Sequence, residues 1–195
     1  VPYLPIDPKD IGREYESDVI RINSQSGKGG IGYVLEENFG FHIPGKMRED
    51  VGYTVKDVSD KQHRELVPKD ILDVFKTVYV NISSPIALKE CHFIQKDGGI
   101  EAEISLEKSG VDKLYHGRGN GRLDAVSNAL QRHSDLDYSI VSYQEHALTV
   151  GSNSKACSYV AIQKPNGTVV WGAGIHEDII TASVLALISA VNRIQ

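Results

Sequence analysis

Apolar residues recur in this chain with two periods, and the second half uses both periods in the same order twice. Ile86 to Gln95, Ile100 to Lys108 and Val111 to His116 alternate as strands do. Hairpin chemistry separates them at Lys96-Asp97-Gly98-Gly99 and Ser109-Gly110. Gly117-Arg118-Gly119-Asn120-Gly121 follows, and then a helix through about Arg132 with Leu123, Val126 and Leu130 on one face. The order then repeats. Tyr138 to Val150, Ala156 to Lys164 and Thr168 to Trp171 predict strands, with Pro165-Asn166-Gly167 as a hairpin turn. Gly172-Ala173-Gly174 leads into a helix whose apolar face is Ile180, Val184, Leu187, Val191 and Ile194. This is an internal duplication with a period of roughly 55 residues. Two βββα units, about 86–133 and 137–195, predict an α+β fold with antiparallel sheet on one side and helices on the other.

The first half is less regular. Pro2, Pro5 and Pro8 predict an extended start over residues 1–17, because proline fixes φ and removes a donor. Val19 to Ile22 and Ile31 to Leu35 predict short strands around a loop from Asn23 to Gly30. Met47, Val51, Val55 and Val58 repeat at helical spacing despite Gly52. Pro68 opens a second helix with Ile71, Val74, Phe75 and Val78 on one face. Ser83-Ser84-Pro85 is the expected boundary, dividing a segment 18–84 from a domain 85–195.

Composition narrows the function classes. The 195 residues are 41% hydrophobic, with a formal charge of −5 and a pI near 5.8, so no basic surface points to nucleic acid. No apolar run approaches the ~20 residues that span a bilayer, so no membrane role is expected. Cys91 and Cys157 are too few for a disulfide scaffold and read as thiols in a reducing compartment. The start at Val1 lacks the features of a signal peptide and an initiator Met, so the expectation is a chain that begins inside a longer protein. The seven histidines (His42, His63, His92, His116, His133, His146 and His176) have no metal-ligand spacing, and no metal site is expected. No G-x-S-x-G elbow or nucleophile–base pair appears.

Two glycine-rich segments suggest ligands. Ser24 to Gly30 fails as a P-loop, because Ile22 stands where the first glycine is needed and Gly29 follows Lys28. It reads as a flexible turn. Gly117 to Gly121 precedes a helix, whose start offers unpaired N–H groups and a positive dipole end suited to a carboxylate or phosphate. A tight strand-to-helix turn is the plainer alternative. The duplicate at Gly172 to Gly174 favours the first reading, with two equivalent helix starts enclosing a small anion. The residues by themselves describe a ligand-binding module rather than a catalyst.

Val1 to Pro8 with Arg21 to Gly30 resembles the linker of long-form 2-isopropylmalate synthases, the type found in actinobacteria and fungi. Gly119-Asn120-Gly121 with Leu123, Tyr143-Gln144-Glu145-His146-Ala147, Trp171 to Ile175, Thr181 to Ser183 and Ser189 to Arg193 resemble that family's leucine-binding regulatory domain. Residues 36–85 match least. The resemblance implies the end of one linker subdomain (1–17), a second (18–84) and the regulatory domain (85–195). It implies a homodimer inhibited by leucine, with a TIM barrel elsewhere that holds a divalent metal and condenses acetyl-CoA with 2-oxoisovalerate. No cofactor is expected in these residues, and alone they are expected to be inactive. The compartment it implies is the cytoplasm in a bacterium, and the mitochondrial matrix or cytosol in a fungus. The leucine pocket it implies comprises Gly119, Asn120, Gly121, Leu123 and Asp124 at the first helix start, Ile140, Tyr143, Ala147, Ser154 and Ala156 on the neighbouring strands, and Ile179 at the second helix start. Asp124 is a candidate partner for the ammonium; this sequence has Arg122 where the family often has Pro, and Asp124 and Ser154 where it often has small apolar residues. Tyr3 matches a linker tyrosine that approaches the catalytic site. The alternatives are the similar domain of a citramalate synthase, which senses isoleucine, and a stand-alone small-anion-binding module.

Overall fold

Turn residues with positive φ fix the hairpins of the second half. Asp97 and Gly98 have φ of 49° and 78°, and Ser109 and Gly110 have 55° and 78°. Both pairs are the two-residue turns whose twist matches antiparallel strands. The structure is a computed structural model that describes residues 28–132, 135–148 and 154–194. They form α1 (Lys28–Phe39), α2 (Gly45–Gln62), α3 (Pro68–Tyr79), β1 (Ile86–Lys96), β2 (Gly99–Lys108), β3 (Val111–Gly119), α4 (Arg122–Arg132), β4 (Ser139–Leu148), β5 (Lys155–Gln163), β6 (Val169–His176) and α5 (Ile179–Arg193). Two compact units divide the chain, Val1–Lys76 and Thr77–Gln195. The boundary expected at Ser83-Ser84-Pro85 thus lies within the second of them. None of the described helices is long and apolar enough to cross a membrane.

In the first unit one expectation is corrected. Ile31 to Leu35 is helix within α1, not strand. Ile31, Val34 and Leu35 are buried and Tyr33 is 51% exposed, which is the i, i+3, i+4 spacing of a helix face. Three glycines (Gly29, Gly30 and Gly32) carry low helix propensity and mimic a loop. Gly32 has a packing reason: a Cβ there would meet Arg48 Cδ of α2 at 2.8 Å. The expected turn at Lys28-Gly29-Gly30 is therefore the first turn of α1. In α2, Met47, Val51 and Val55 are buried as expected, and Gly52 lies on the same buried face. Val19 to Ile22 and Tyr3 lie outside the described residues.

The second unit is the expected pair of βββα repeats. Each sheet is a three-stranded antiparallel meander, in the orders β1-β2-β3 and β4-β5-β6. Ala102, Ile104 and Leu106 of β2 and Val160 and Ile162 of β5 join Val126 and Leu130 of α4 and Val184, Leu187 and Val191 of α5 in one core. The strands run further than expected, because Gly117 and Gly119 belong to β3 and Gly172 and Gly174 to β6. Their role is to let the helices down onto the sheets. A Cβ at Gly117 would stand 2.2 Å from Ala125 O and 2.5 Å from Ala129 N; one at Gly172 would stand 2.4 Å from Ala186 O and 2.3 Å from Ala190 N. Gly119 faces Ala125 N and Gly174 faces Ala186 N in the same way. These contacts match α4 to α5 residue for residue, with Ala125 equivalent to Ala186. They also reveal an asymmetry. α4 begins three residues before Ala125, at Arg122, whereas α5 begins seven before Ala186, at Ile179. The second helix is longer by one turn at its start, so the two helix starts are not the equivalent pair expected.

A further strap closes the unit. Val80 bridges Ala173 in parallel, and Asn81 exchanges hydrogen bonds with Ile175 through its side chain (2.9 and 3.1 Å). Ser189 donates to Tyr79 O and accepts from Ile82 N. Asn192 accepts from Ile86 N and donates to Ile82 O and Ile86 O. Among the described residues every buried side-chain N or O has a hydrogen-bond partner.

Candidate functional site

The missing first turn of α4 leaves room beside the longer start of α5. A cavity of about 520 Å³ opens there. α4 contributes Arg122, Leu123 and Asp124, preceded by Gly121; β4 contributes Ile140, Tyr143 and Glu145; α5 contributes Ile179, Ile180, Ser183 and Val184; Ile100 of β2 completes the wall. The register explains the β4 contribution. Tyr143 pairs with Val160 and Glu145 with Ser158, so both share the face that looks toward the helices.

Hydroxyl groups organise the β4 side. Ser158 Oγ lies 3.1 Å from Ser183 Oγ, whose one proton has two acceptors in reach, the Tyr143 hydroxyl at 2.6 Å and Ile179 O at 2.9 Å. The Tyr143 hydroxyl also reaches Glu145 Oε2. An ionised carboxylate only accepts, so Tyr143 donates to Glu145. Burial, then the Glu145 carboxylate, pushes the Tyr143 phenol above its ordinary value, which keeps it a donor at neutral pH. The equivalent positions of the first repeat carry none of this. Register places Phe93 where the second repeat has Tyr143, and Ile100 where it has Ser158. Arg122 corresponds to Ser183 and holds its guanidinium 6.0 Å from the Phe93 ring centre. The duplication has diverged into one polar wall and one cationic, apolar wall.

The helix starts differ in capping: each has an acidic residue, Asp124 in the first turn of α4 and Asp178 before α5, and the hydrogen-bonded cap is that of Asp178. Asp178 caps α5, accepting from Thr181 N at 3.0 Å and Thr181 Oγ1 at 2.8 Å, and these bonds hold its carboxyl below the usual carboxylate range. The start of α5 is thus compensated by its own chain. At α4 the first N–H groups have no acceptor within the helix, which leaves them to a ligand or water. Asp178→Ala is expected to lower stability by about 1 kcal/mol, measured by urea unfolding at pH 7. Because the folded state lowers this pKa, the difference should persist above pH 3.8 and vanish as pH falls below it.

Of the expected pocket residues, Gly121, Leu123, Asp124, Ile140, Tyr143 and Ile179 line the cavity. Gly119 does not; its missing Cβ admits α4, so the close approach read as room for a ligand belongs to helix backbone. Asn120 is exposed beside it. Ala147 and Ala156 pair with each other one step along the same face of β4 and β5, beyond the lining, and Ser154 is exposed just before β5. Ile100, Arg122, Glu145, Ile180, Ser183 and Val184 were not anticipated. Arg122, Glu145 and Ser183 lay inside or beside recognisable motifs, but nothing local marked them as converging. Among the described residues no group of three or more His, Cys, Asp or Glu is placed to hold a metal.

Residues 65–195 match the family model described as the LeuA allosteric (dimerisation) domain. Residues 1–36 match the alpha-isopropylmalate synthase post-catalytic domain-like model. Relatives named 2-isopropylmalate synthase include one from Desulfitobacterium hafniense, 56% identical over 98% of this chain and 34% of the relative. One from Helicobacter hepaticus is 48% identical over 100% and 36%, and one from Clostridium acetobutylicum is 43% identical over 99% and 35%. The chain spans about a third of the length of the curated relatives it matches.

Proposed function

Since the chain belongs to the family of LeuA allosteric (dimerisation) domains, we propose that it is the leucine-sensing regulatory part of a 2-isopropylmalate synthase and works as a homodimer. The condensation of acetyl-CoA with 2-oxoisovalerate is assigned to a catalytic barrel with its own divalent metal, outside these 195 residues. The observation that carries the reading is the make-up of the cavity. Ile100, Leu123, Ile140, Ile180 and Val184 offer branched aliphatic walls, while Arg122 offers a positive charge and Asp124 and Glu145 two carboxylates. That set fits an aliphatic amino acid: carboxylate toward Arg122 and the open N–H groups of α4, side chain against the branched wall.

Regulation follows from linkage. Leucine slows a distant site only if it prefers one state of the enzyme, with a coupling of typically ~1–3 kcal/mol. α5 is the physical candidate for the connection. Its first turn lines the cavity and its last turns hold the strap of residues 79–86 through Ser189 and Asn192. Tyr3 retains its proposed place near the catalytic site.

Titration calorimetry with L-leucine should give saturable heat, and L-isoleucine should bind less tightly. A preference for isoleucine would assign the chain to a citramalate synthase instead; no heat with either would sink the amino-acid reading. Gly121→Asp tests the location. A Cβ there meets nothing nearer than Asp124 Oδ2 at 4.0 Å, so the variant should fold, yet it sets a carboxylate where the ligand's own is expected. Binding should drop at least about tenfold, the effect of one misplaced charge near ~1.4 kcal/mol. Unchanged affinity would move the site elsewhere.

A further inference from the structure

The cavity holds two carboxylates, and only one of them is oriented. Glu145 Oε2 accepts from the Tyr143 hydroxyl, whose oxygen accepts from Ser183, and Ser158 Oγ lies within hydrogen-bond distance of Ser183 Oγ. The second Glu145 oxygen, Oε1, has no hydrogen-bond partner among the described residues, and Glu145 lines the cavity. Ordering a ligand against such a group costs little further side-chain entropy. The Asp124 side chain, by contrast, makes no hydrogen bond among the described residues and stands in the first turn of α4. There its charge compensates the same helix start that would attract the ligand's carboxylate.

We infer that Glu145 is the ammonium-binding residue of this cavity and makes it selective for α-amino acids over 2-oxo acids of the same carbon skeleton. The inference rests on the reading of the cavity as an amino-acid site. The chemistry of the two ligand classes differs at one position. An α-ammonium presents three donors and a positive charge to Glu145 Oε1, whereas a 2-oxo acid presents a carbonyl oxygen that only accepts. A carboxylate facing that oxygen repels it. An aliphatic pocket cannot make this distinction, since the two side chains are identical and apolar contacts do not separate them. The selection matters to a sensor, because an amino acid and its 2-oxo acid interconvert by transamination and occur together.

The test compares three ligands by calorimetry on the unaltered chain, Glu145→Gln and Asp124→Asn: L-leucine, 4-methyl-2-oxopentanoate, and 4-methylpentanoate, which lacks the amino group. In Glu145→Gln the new side-chain amide can still accept from Tyr143 through its oxygen while turning its N–H₂ toward the ligand. Loss of one charge-assisted contact should weaken leucine about 10- to 100-fold in Glu145→Gln. The 2-oxo acid should bind this variant as well as or better than it binds the unaltered chain, so the selectivity collapses. Binding of 4-methylpentanoate should be little changed, which separates a lost ammonium contact from a damaged pocket. Asp124→Asn should leave the leucine to 2-oxo acid ratio within about threefold. Retained selectivity in Glu145→Gln, or its collapse in Asp124→Asn, would overturn the assignment. Silence of the unaltered chain toward all three ligands would instead remove the amino-acid reading on which it depends.

Discussion

Gly174→Ala is expected to destabilise the second unit by about 3 kcal/mol or more, because the added methyl group falls on helix backbone. Its Cβ would stand 2.0 Å from Ala182 O, 2.6 Å from Ala186 N and 3.0 Å from Leu185 Cβ. Flexible side chains can swing away from such an overlap, but two of these three atoms are the α5 backbone, so the helix must lift from β6. That would open contacts of Val184, Leu187 and Val191, which are buried in the core shared by both repeats. Close-packed interiors do not absorb a shift of this size locally. Against a total stability of typically ~5–15 kcal/mol, the expected fall in Tm is of the order of 10 °C. Gly121→Ala is the matched control, since its Cβ has no neighbour within 4 Å except Asp124 Oδ2 at 4.0 Å. It should change Tm by no more than a degree or two. Differential scanning calorimetry of both variants decides the matter: similar small shifts would mean that the glycines of β6 serve something other than helix packing.

The same glycines show where sequence reading reached and where it stopped. A Gly-x-Gly pair signals that something approaches the backbone closely. It does not say whether that something is a ligand or the chain's own helix, and here Gly119 and Gly174 admit α4 and α5. Hairpins were legible because their determinants are local: Asp97-Gly98 and Ser109-Gly110 carry the positive φ values within the turn itself. The apolar faces of α3, α4 and α5 were legible for the same reason. Ile31 to Leu35 was not, since its helix forms against α2 over the objection of Gly29, Gly30 and Gly32. Local propensity is a weak prior, and packing overrode it.

The cavity divides along the same line. Leu123, Asp124, Ile140, Tyr143 and Ile179 were accessible through a family pattern, while Glu145 and Ser183 emerge only once β4 lies beside α5. The asymmetry between the repeats could not be read from a period of about 55 residues. It depends on the extra turn of α5, which a repeat pattern blurs. That turn supplies Ile179, Ile180 and the Asp178 cap, so the two halves differ by an insertion as well as by the substitutions at Tyr143, Ser158 and Ser183.

Asn192→Leu is the second substitution with a large expected effect. The apolar reading of the last helix skipped this position, yet Asn192 is 6% exposed and faces the strap. Its Oδ1 accepts from Ile86 N at 2.9 Å, and its Nδ2 donates to Ile82 O at 2.7 Å and Ile86 O at 2.8 Å. Leucine is only modestly larger than asparagine and fills the space, so the cost is polar rather than steric. Three backbone groups lose their partner together, and an unsatisfied buried group costs about 1–3 kcal/mol. Because part of the strap can turn toward water, a loss of about 3–4 kcal/mol is expected, read from urea unfolding. Asn192→Asp separates the donor and acceptor roles. An ionised Asp still accepts from Ile86 N but faces two carbonyl oxygens, which raises its folded pKa above its unfolded value near ~4. A raised acid pKa means stability present at low pH and lost as pH climbs from the unfolded value through the folded one. The aspartate variant should therefore approach the parent in stability near pH 4 and fall behind it by pH 7. If it tracked the parent across that range, the two carbonyl bonds would carry little of the strap's attachment, and Ser189, with its bonds to Tyr79 O and Ile82 N, would be the residue that holds it.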